Sequence, residues 1–259
     1  MKIRPCIDLH QGKVKQIVGS TLADDNSSSL RENFTADKPP AYFSALFRDH
    51  KLTGGHVIML GPGNEEAARQ ALSEWPDGLQ IGGGINADNA SFWLDQGASH
   101  VIVTSYVFYR GEINYQRLKK LVKIVGKKRL VLDLSCRKRN NSYFIVTDRW
   151  QKFTKVPISR QLVQDLAAFC DEFLVHGVDV EGKCQGIDEE LAGLLAEISP
   201  IPTTYAGGAR SIEDALRIKE IGKNRLDLLD LTIGSALDIF GGTGVTFQEV
   251  VDFNRKYAQ

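Results

Sequence analysis

A chain of 259 residues, 42% of them hydrophobic, is long enough to bury a full core and falls in the range where an α/β barrel forms one domain. Lys plus Arg and Asp plus Glu number 32 each, so the formal net charge is zero; this argues against a basic face for nucleic acid or an anionic membrane and leaves any anionic ligand to a local site. Cys6, Cys136, Cys170 and Cys184 lack C-x-x-C spacing, no apolar run approaches the ~18 residues of a membrane span, and the start does not read as a targeting segment, so free thiols in a reducing, cytoplasmic compartment are expected.

Short apolar runs alternate with longer helical patterns, which is the signature of βα units around a parallel sheet. Strands are predicted near Ile3 to Leu9, His56 to Leu60, Leu79 to Gly82, His100 to Thr104, Arg129 to Leu134, Glu172 to Val175, Thr203 to Ala206 and Leu228 to Ile233. Helices are predicted between them at Asn64 to Glu74, Ala87 to Gln96, Tyr115 to Val125, Arg160 to Cys170, Asp188 to Glu197 and Ser211 to Ile221, the last opening on a capping-box pattern, Ser211 with Asp214. Eight such repeats close most naturally into a (β/α)8 barrel, with the chemistry on the loops that follow the strands. An open doubly wound sheet is the alternative, but the G-x-G-x-x-G fingerprint after the first strand is missing.

Two insertions are longer than a connection needs. Gly12 to Val18 reads as a small extra strand, and the polar stretch Ser20 to Pro40 as either a lid over the barrel mouth or a loose insertion. Cys136 to Trp150 reads as a hairpin that returns toward the fifth strand.

The chain repeats itself. Cys6-Ile7-Asp8-Leu9 is answered by Val131-Leu132-Asp133-Leu134, Ile81 to Ile85 by Tyr205 to Ala209, and Val103-Thr104-Ser105 by Ile233-Gly234-Ser235. The offsets are 125 residues between the aspartates, 124 from Gly83 to Gly207 and 130 from Ser105 to Ser235, so two half-barrels, roughly 1–127 and 128–259, are expected. Asp8 and Asp133 would then sit at the tops of strands on opposite sides of the mouth, an arrangement that suits one acid and one base. A strand-end aspartate can also simply cap a loop; two at symmetry-related positions favour catalysis.

The glycine pairs have a separate logic, because a strand ending in Gly-Gly lets a ligand approach the backbone, and the next helix offers unpaired N–H groups. Gly83 and Gly84 with Thr104 and Ser105 form one candidate phosphate cradle, and Gly207 and Gly208 with Gly234 and Ser235 a second. A Gly pair may equally be a tight turn, but two on opposite sides of one barrel suggest a small molecule with a phosphate at each end. His176 would sit at the top of the sixth strand as a substrate contact or a loop cap, and Asp179, Glu181 and Gly182 follow in a loop that reads as solvated or in contact. Trp150 could stack on a flat heterocycle or pack in its hairpin. No His, Cys or carboxylate cluster has metal-ligand spacing, so no catalytic metal is expected.

The whole chain resembles the histidine-biosynthesis isomerases that convert phosphoribosylformimino-aminoimidazole carboxamide ribotide to its ribulosyl isomer, in their plant and fungal form. The resemblance rests on long blocks: Arg4 to His10, Gly54 to Gly61, Asp133 to Lys138, His176 to Gly182 and Leu231 to Gly242. Departures from the bacterial form are Leu60-Gly61-Pro62 at the end of strand 2, Gln16 in place of an Arg and His176 in place of a Thr. The resemblance implies an Amadori rearrangement in which Asp133 is the acid that opens the ribose ring and Asp8 the base that removes the C2 proton, with Gln16, Trp150, His176 and Asp179 as further candidate contacts. The acid must hold its proton near neutral pH. The implied substrate carries two phosphates, and no cofactor is required. A monomer is expected, without nucleic acid or membrane as a partner; a plastid address would go with a transit segment. Rival readings are the ammonia-dependent cyclase of the same pathway, the phosphoribosyl-anthranilate isomerisation of tryptophan synthesis, and a barrel that binds phosphometabolites without turnover.

Overall fold

The computed structural model describes residues 1–17, 32–223 and 228–258. At its centre lie β1, written as Ile3–Arg4 and Cys6–His10 with Pro5 between them, β2 Gly55–Met59, β3 Leu79–Gly82, β4 Val101–Val103, β5 Leu130–Asp133, β6 Glu172–His176, β7 Thr203–Ala206 and β8 Leu229–Thr232. These short runs, rich in Val, Ile and Leu, suit a parallel sheet covered on both faces. The sheet closes through β1. Ile3–Arg4 pairs with β8, Ile3 opposite Leu231, whereas Cys6–His10 pairs with β2, Asp8 opposite Ile58, so one segment forms both ends of the strand order. Pro5 suits the break because it has no N–H to place in a ladder, and its carbonyl accepts from the His56 N–H at 3.0 Å. The fold is a (β/α)8 barrel with an internal half-barrel repeat.

A helix follows each strand: α1 Pro40–Asp49, α2 Glu65–Glu74, α3 Ala90–Asp95, α4 Tyr115–Val125, α5 Arg160–Ala167, α6 Glu189–Ile198, α7 Ile212–Gly222 and α8 Phe247–Tyr257. The sequence reading includes neither α1 nor α8, although α8 carries the capping box that the same reading assigns to Ser211. Thr246 and Glu249 exchange the reciprocal bonds of that motif. At Ser211 no cap bond forms, and the Asp214 carboxylate accepts from the Arg210 N–H at 2.9 Å instead. α3 is shorter than predicted because Asn86 and Asn89 build local turns before it; the Asn89 Oδ1 takes the Asn86 N–H and the Asn86 Oδ1 takes the Asp88 N–H, both at 2.8 Å.

The barrel interior changes character from bottom to top. At the bottom, Arg4 is buried between Glu172, 2.8 Å from Nη1, and Asp230, 2.7 Å from Nε, while the Gln80 Nε2 donates to Glu172 at 2.8 Å. Ile102, Val131, Leu174 and Ala206 form an apolar plug in the middle, with Ile58 against it. Toward the C-terminal strand ends the walls of a cleft are polar again, with Asp8, His176 and Thr232 among them.

Both insertions contribute structure there. Lys13–Ile17 folds back on β1 and pairs with Glu32–Thr35. Residues 20–31 of the expected lid lie outside the described residues. The hairpin expected at 136–150 has one more strand than predicted: Cys136–Arg139, Ser142–Thr147 and Lys152–Pro157 form an antiparallel sheet of three.

Candidate active site

Alternation along β1 turns Cys6 and Asp8 toward the barrel axis. The fold-back strand then brings Gln16 over them. Its Nε2 lies 3.4 Å from Asp8 Oδ2 and 4.0 Å from Cys6 Sγ, and its Oε1 accepts from the Ser235 hydroxyl at 3.2 Å. Burial pushes the Asp8 carboxyl up to about 7, with the Gln16 hydrogen bond opposing. Although Asp8 as a residue keeps some exposure at the mouth, its carboxyl lies within the cleft, and desolvation outweighs the one bond it accepts.

Asp133 lies at the end of β5, four strand positions round the barrel from β1. Its Oδ2 accepts from the Thr104 hydroxyl at 2.9 Å, and its Oδ1 from the Ser135 N–H at 2.7 Å and from the Ser135 hydroxyl. The register that sets Asp133 opposite Leu174 also brings Ser135 beside His176, whose Nδ1 lies 2.9 Å from the Ser135 Oγ. Trp150 covers His176, with ring centroids 5.2 Å apart. Asp148, Arg149 and Trp150 hold positive φ of 51°, 55° and 65°, three left-handed residues in succession, and the Asp148 N–H donates to the Ser105 hydroxyl at 3.1 Å. His176 itself is buried, and burial lowers its pKa.

Beside Asp8, Gln16 and His176 opens a cleft whose walls also include Cys6, Glu181 and Ser235. Glu181 is the surprise. Its Oε2 is sealed from solvent without a hydrogen-bond partner, and burial followed by the charge of Asp8 pushes the carboxyl up to about 8. Asp179, the acid chosen from sequence as a contact, is engaged elsewhere: its carboxylate takes the Arg137 Nε–H and the Lys138 N–H, each at 2.9 Å, and so anchors the hairpin sheet. A turn separates the two acids, with the Val180 N–H bonded to the Gly177 carbonyl and the Glu181 N–H to that of Val178. Read as a solvated loop, the segment gave no sign of that turn; its glycines at both ends were the available signal.

The candidate cradles fare differently. Gly207, Gly208, Gly234 and Ser235 all line the cleft, whereas Gly83, Gly84, Thr104 and Ser105 do not. Nor does Asp133, which reaches it only through Ser135 and His176. Thr104 spends its hydroxyl on Asp133. Close backbone approach explains glycine at two of these positions without a ligand: a Cβ on Gly83 would lie 2.1 Å from the Met59 carbonyl oxygen, and one on Gly208 2.2 Å from that of Gly186. From the strand Glu32–Thr35, Asn33 donates to the Gly182 carbonyl at 3.0 Å and lies 3.5 Å from the Ser235 hydroxyl. Among the described residues no three His, Cys, Asp or Glu side chains converge as a metal-ligand set, and no helix is long and apolar enough to cross a membrane.

Comparison with known proteins agrees with this architecture. The family model described as histidine biosynthesis protein matches residues 2–251. A chloroplastic 1-(5-phosphoribosyl)-5-((5-phosphoribosylamino)methylideneamino) imidazole-4-carboxamide isomerase of Medicago truncatula is 55% identical over 99% of this chain and 82% of its own length. Isomerases of the same name from Yarrowia lipolytica and Neurospora crassa are each 49% identical over 98% of this chain, covering 98% and 99% of their own lengths. The chain belongs to the histidine biosynthesis protein family.

Proposed function

We propose that this chain catalyses the isomerisation for which its relatives are named, converting the bisphosphorylated aminoaldose to the aminoketose by an Amadori rearrangement. The observation that carries the proposal is the Asp8 carboxyl at the mouth of β1, lifted to about 7 and open to the cleft. A base works best when its pKa lies near the working pH. Asp8 as carboxylate would remove the proton on C2 of the ring-opened Schiff base, giving an enolamine that takes a proton at C1 and leaves a ketone at C2. No electron carrier is needed, since C1 is reduced as C2 is oxidised.

Ring opening needs a proton donor at the ribose ring oxygen. Asp133 is the assignment implied by family resemblance. A specific observation favours a second reading, with Glu181 as the donor: its Oε2 is unpartnered, and its carboxyl shares the cleft with Asp8 and is lifted to about 8, so it retains a proton at neutral pH. In that reading Asp133 organises Ser135 and His176. Phosphate binding is proposed at Gly207, Gly208, Gly234 and Ser235, and for the second phosphate at Gly84 and the backbone around Ser105.

We further propose one barrel domain of two half-barrels, 1–127 and 128–259, acting as a monomer on its small-molecule substrate. The four free cysteines support a reducing compartment, cytoplasm or, as in the name of the Medicago truncatula relative, chloroplast. The test is side-by-side turnover of the bisphosphorylated aminoaldose and of phosphoribosyl anthranilate without ammonia, and of the aminoketose with ammonia. Conversion of the first supports the isomerase; conversion of the aminoketose with ammonia but not of the aminoaldose identifies the cyclase, and binding without any conversion a silent barrel.

A further inference from the structure

The Ser135 hydroxyl sits at a junction whose proton count can be closed. It has one proton and two lone pairs. Three groups meet it: the Asp133 Oδ1, the His176 Nδ1 at 2.9 Å and the His176 N–H at 3.2 Å. With Asp133 as carboxylate, as in the reading that makes Glu181 the donor, its Oδ1 can only accept, so the hydroxyl proton goes to Asp133. A backbone N–H can only donate, so it takes one lone pair. The remaining lone pair faces the His176 Nδ1, and that contact is a hydrogen bond only if Nδ1 carries the proton. The neutral ring then has no proton on Nε2.

We propose that Ser135 is a positioning residue that fixes His176 as the Nδ1–H tautomer, so that the Nε2 lone pair serves as acceptor for a hydroxyl or N–H of the bound aminosugar. This rests on the isomerase reading for the ligand and, for the tautomer, on the reading that leaves Asp133 as carboxylate. His176 lines the cleft with Asp8 and Glu181, and Trp150 packs over its ring. A neutral ring is favoured by burial, which outweighs the opposing charge of Asp133. The arrangement supplies a buried acceptor near β6, and burial, by lowering the basicity of the ring, leaves the C2 proton to Asp8.

The first experiment reads the tautomer directly, by long-range ¹H–¹⁵N correlation on wild-type enzyme labelled at histidine, with His176 assigned by its loss in His176→Asn. The expected result is an unprotonated Nε2 and a protonated Nδ1 at neutral pH. An Nε2–H tautomer, or a doubly protonated ring, overturns the proposal whether or not the enzyme isomerises anything. The second experiment separates the two halves of the ring. His176→Asn retains a donor near the Nδ1 position but loses the Nε2 acceptor; His176→Gln places an amide oxygen at the reach of Nε2 but abandons Ser135. His176→Gln should recover part of the kcat that His176→Asn loses, and Ser135→Ala should lower kcat about 10- to 100-fold and leave a mixture of tautomers. Equal losses in the two His176 variants, or Ser135→Ala with an unchanged tautomer, count against it. If wild type shows the expected tautomer yet fails to turn over the aminoaldose, the isomerase reading fails and the positioning role of Ser135 stands.

Discussion

Glu181→Gln is the perturbation that separates the two proposed proton donors. With Asp8 near 7 and Glu181 near 8, the productive form has Asp8 ionised and Glu181 protonated. Taking 7 and 8 as the apparent values of the coupled pair, about 0.6 of the enzyme holds a single proton on the two carboxyls at pH 7.5, and about 0.1 at pH 6 and at pH 9. The wild-type profile of kcat/KM should therefore be a narrow bell centred near pH 7.5, falling about sixfold on either side. Gln retains the size of Glu but has no acidic proton to give, so Glu181→Gln should lose about 10²- to 10⁴-fold in kcat at the optimum, the usual worth of general acid assistance. The assay is turnover of the bisphosphorylated aminoaldose between pH 5.5 and 9.5, with binding measured separately by calorimetry. Glu181→Gln within about threefold of wild type, with the alkaline limb intact, would refute the Glu181 reading and return the acid role to Asp133.

The same two carboxyls set a pH dependence of stability. Both are raised above their unfolded values, so the folded chain holds protons that the unfolded chain releases. Their contribution is fully present below the unfolded carboxylate range and lost as pH rises through 7 and 8. Glu181→Gln, which cannot ionise, should melt above wild type at pH 9 and gain less at pH 5; equal shifts at both values would contradict this. At the barrel bottom, Arg4→Met leaves Glu172 and Asp230 buried without their cation and should cost about 3–5 kcal/mol in urea unfolding, with a loss under about 1 kcal/mol counting against the network. Gly83→Ala should prevent folding, because its Cβ meets the Met59 backbone, whereas Gly84→Ala, with nothing within 4 Å, should fold at a cost of about 1 kcal/mol for its positive φ and weaken phosphate binding.

The barrel was legible because its signals are local. Each strand is a short apolar run with its neighbours fixed by chain order, and the matched aspartates, glycines and Ser105/Ser235 positions mark the repeat without knowledge of contacts. α8 was legible in principle: Thr246-Phe247-Gln248-Glu249 spells a capping box, and Arg255 and Lys256 sit in the last turn where cations suit a helix end. α1 starts at Pro40, at the end of a polar stretch that masks it; its buried Phe43 and Phe47 are the surviving signal.

The site was only half legible. Asp8, Gln16 and His176 meet because β1, its fold-back strand and β6 converge; strand-end position points to Asp8 and His176, whereas Gln16 was marked only by the family resemblance. Glu181 and Asp179 could not be told apart, since what separates them is a turn and a partner 42 residues away, the Arg137 side chain that claims Asp179. Ser135 was invisible for a similar reason. Its role depends on the register between β5 and β6, which no local pattern encodes.

The most direct test of the account is single-turnover conversion of the bisphosphorylated aminoaldose by wild type and by Asp8→Asn, with substrate binding confirmed for both. Wild type should convert the substrate, and Asp8→Asn should do so at a rate about 10²- to 10⁴-fold lower at similar affinity. Conversion by Asp8→Asn within tenfold of wild type would remove Asp8 as the base and contradict the account at its centre.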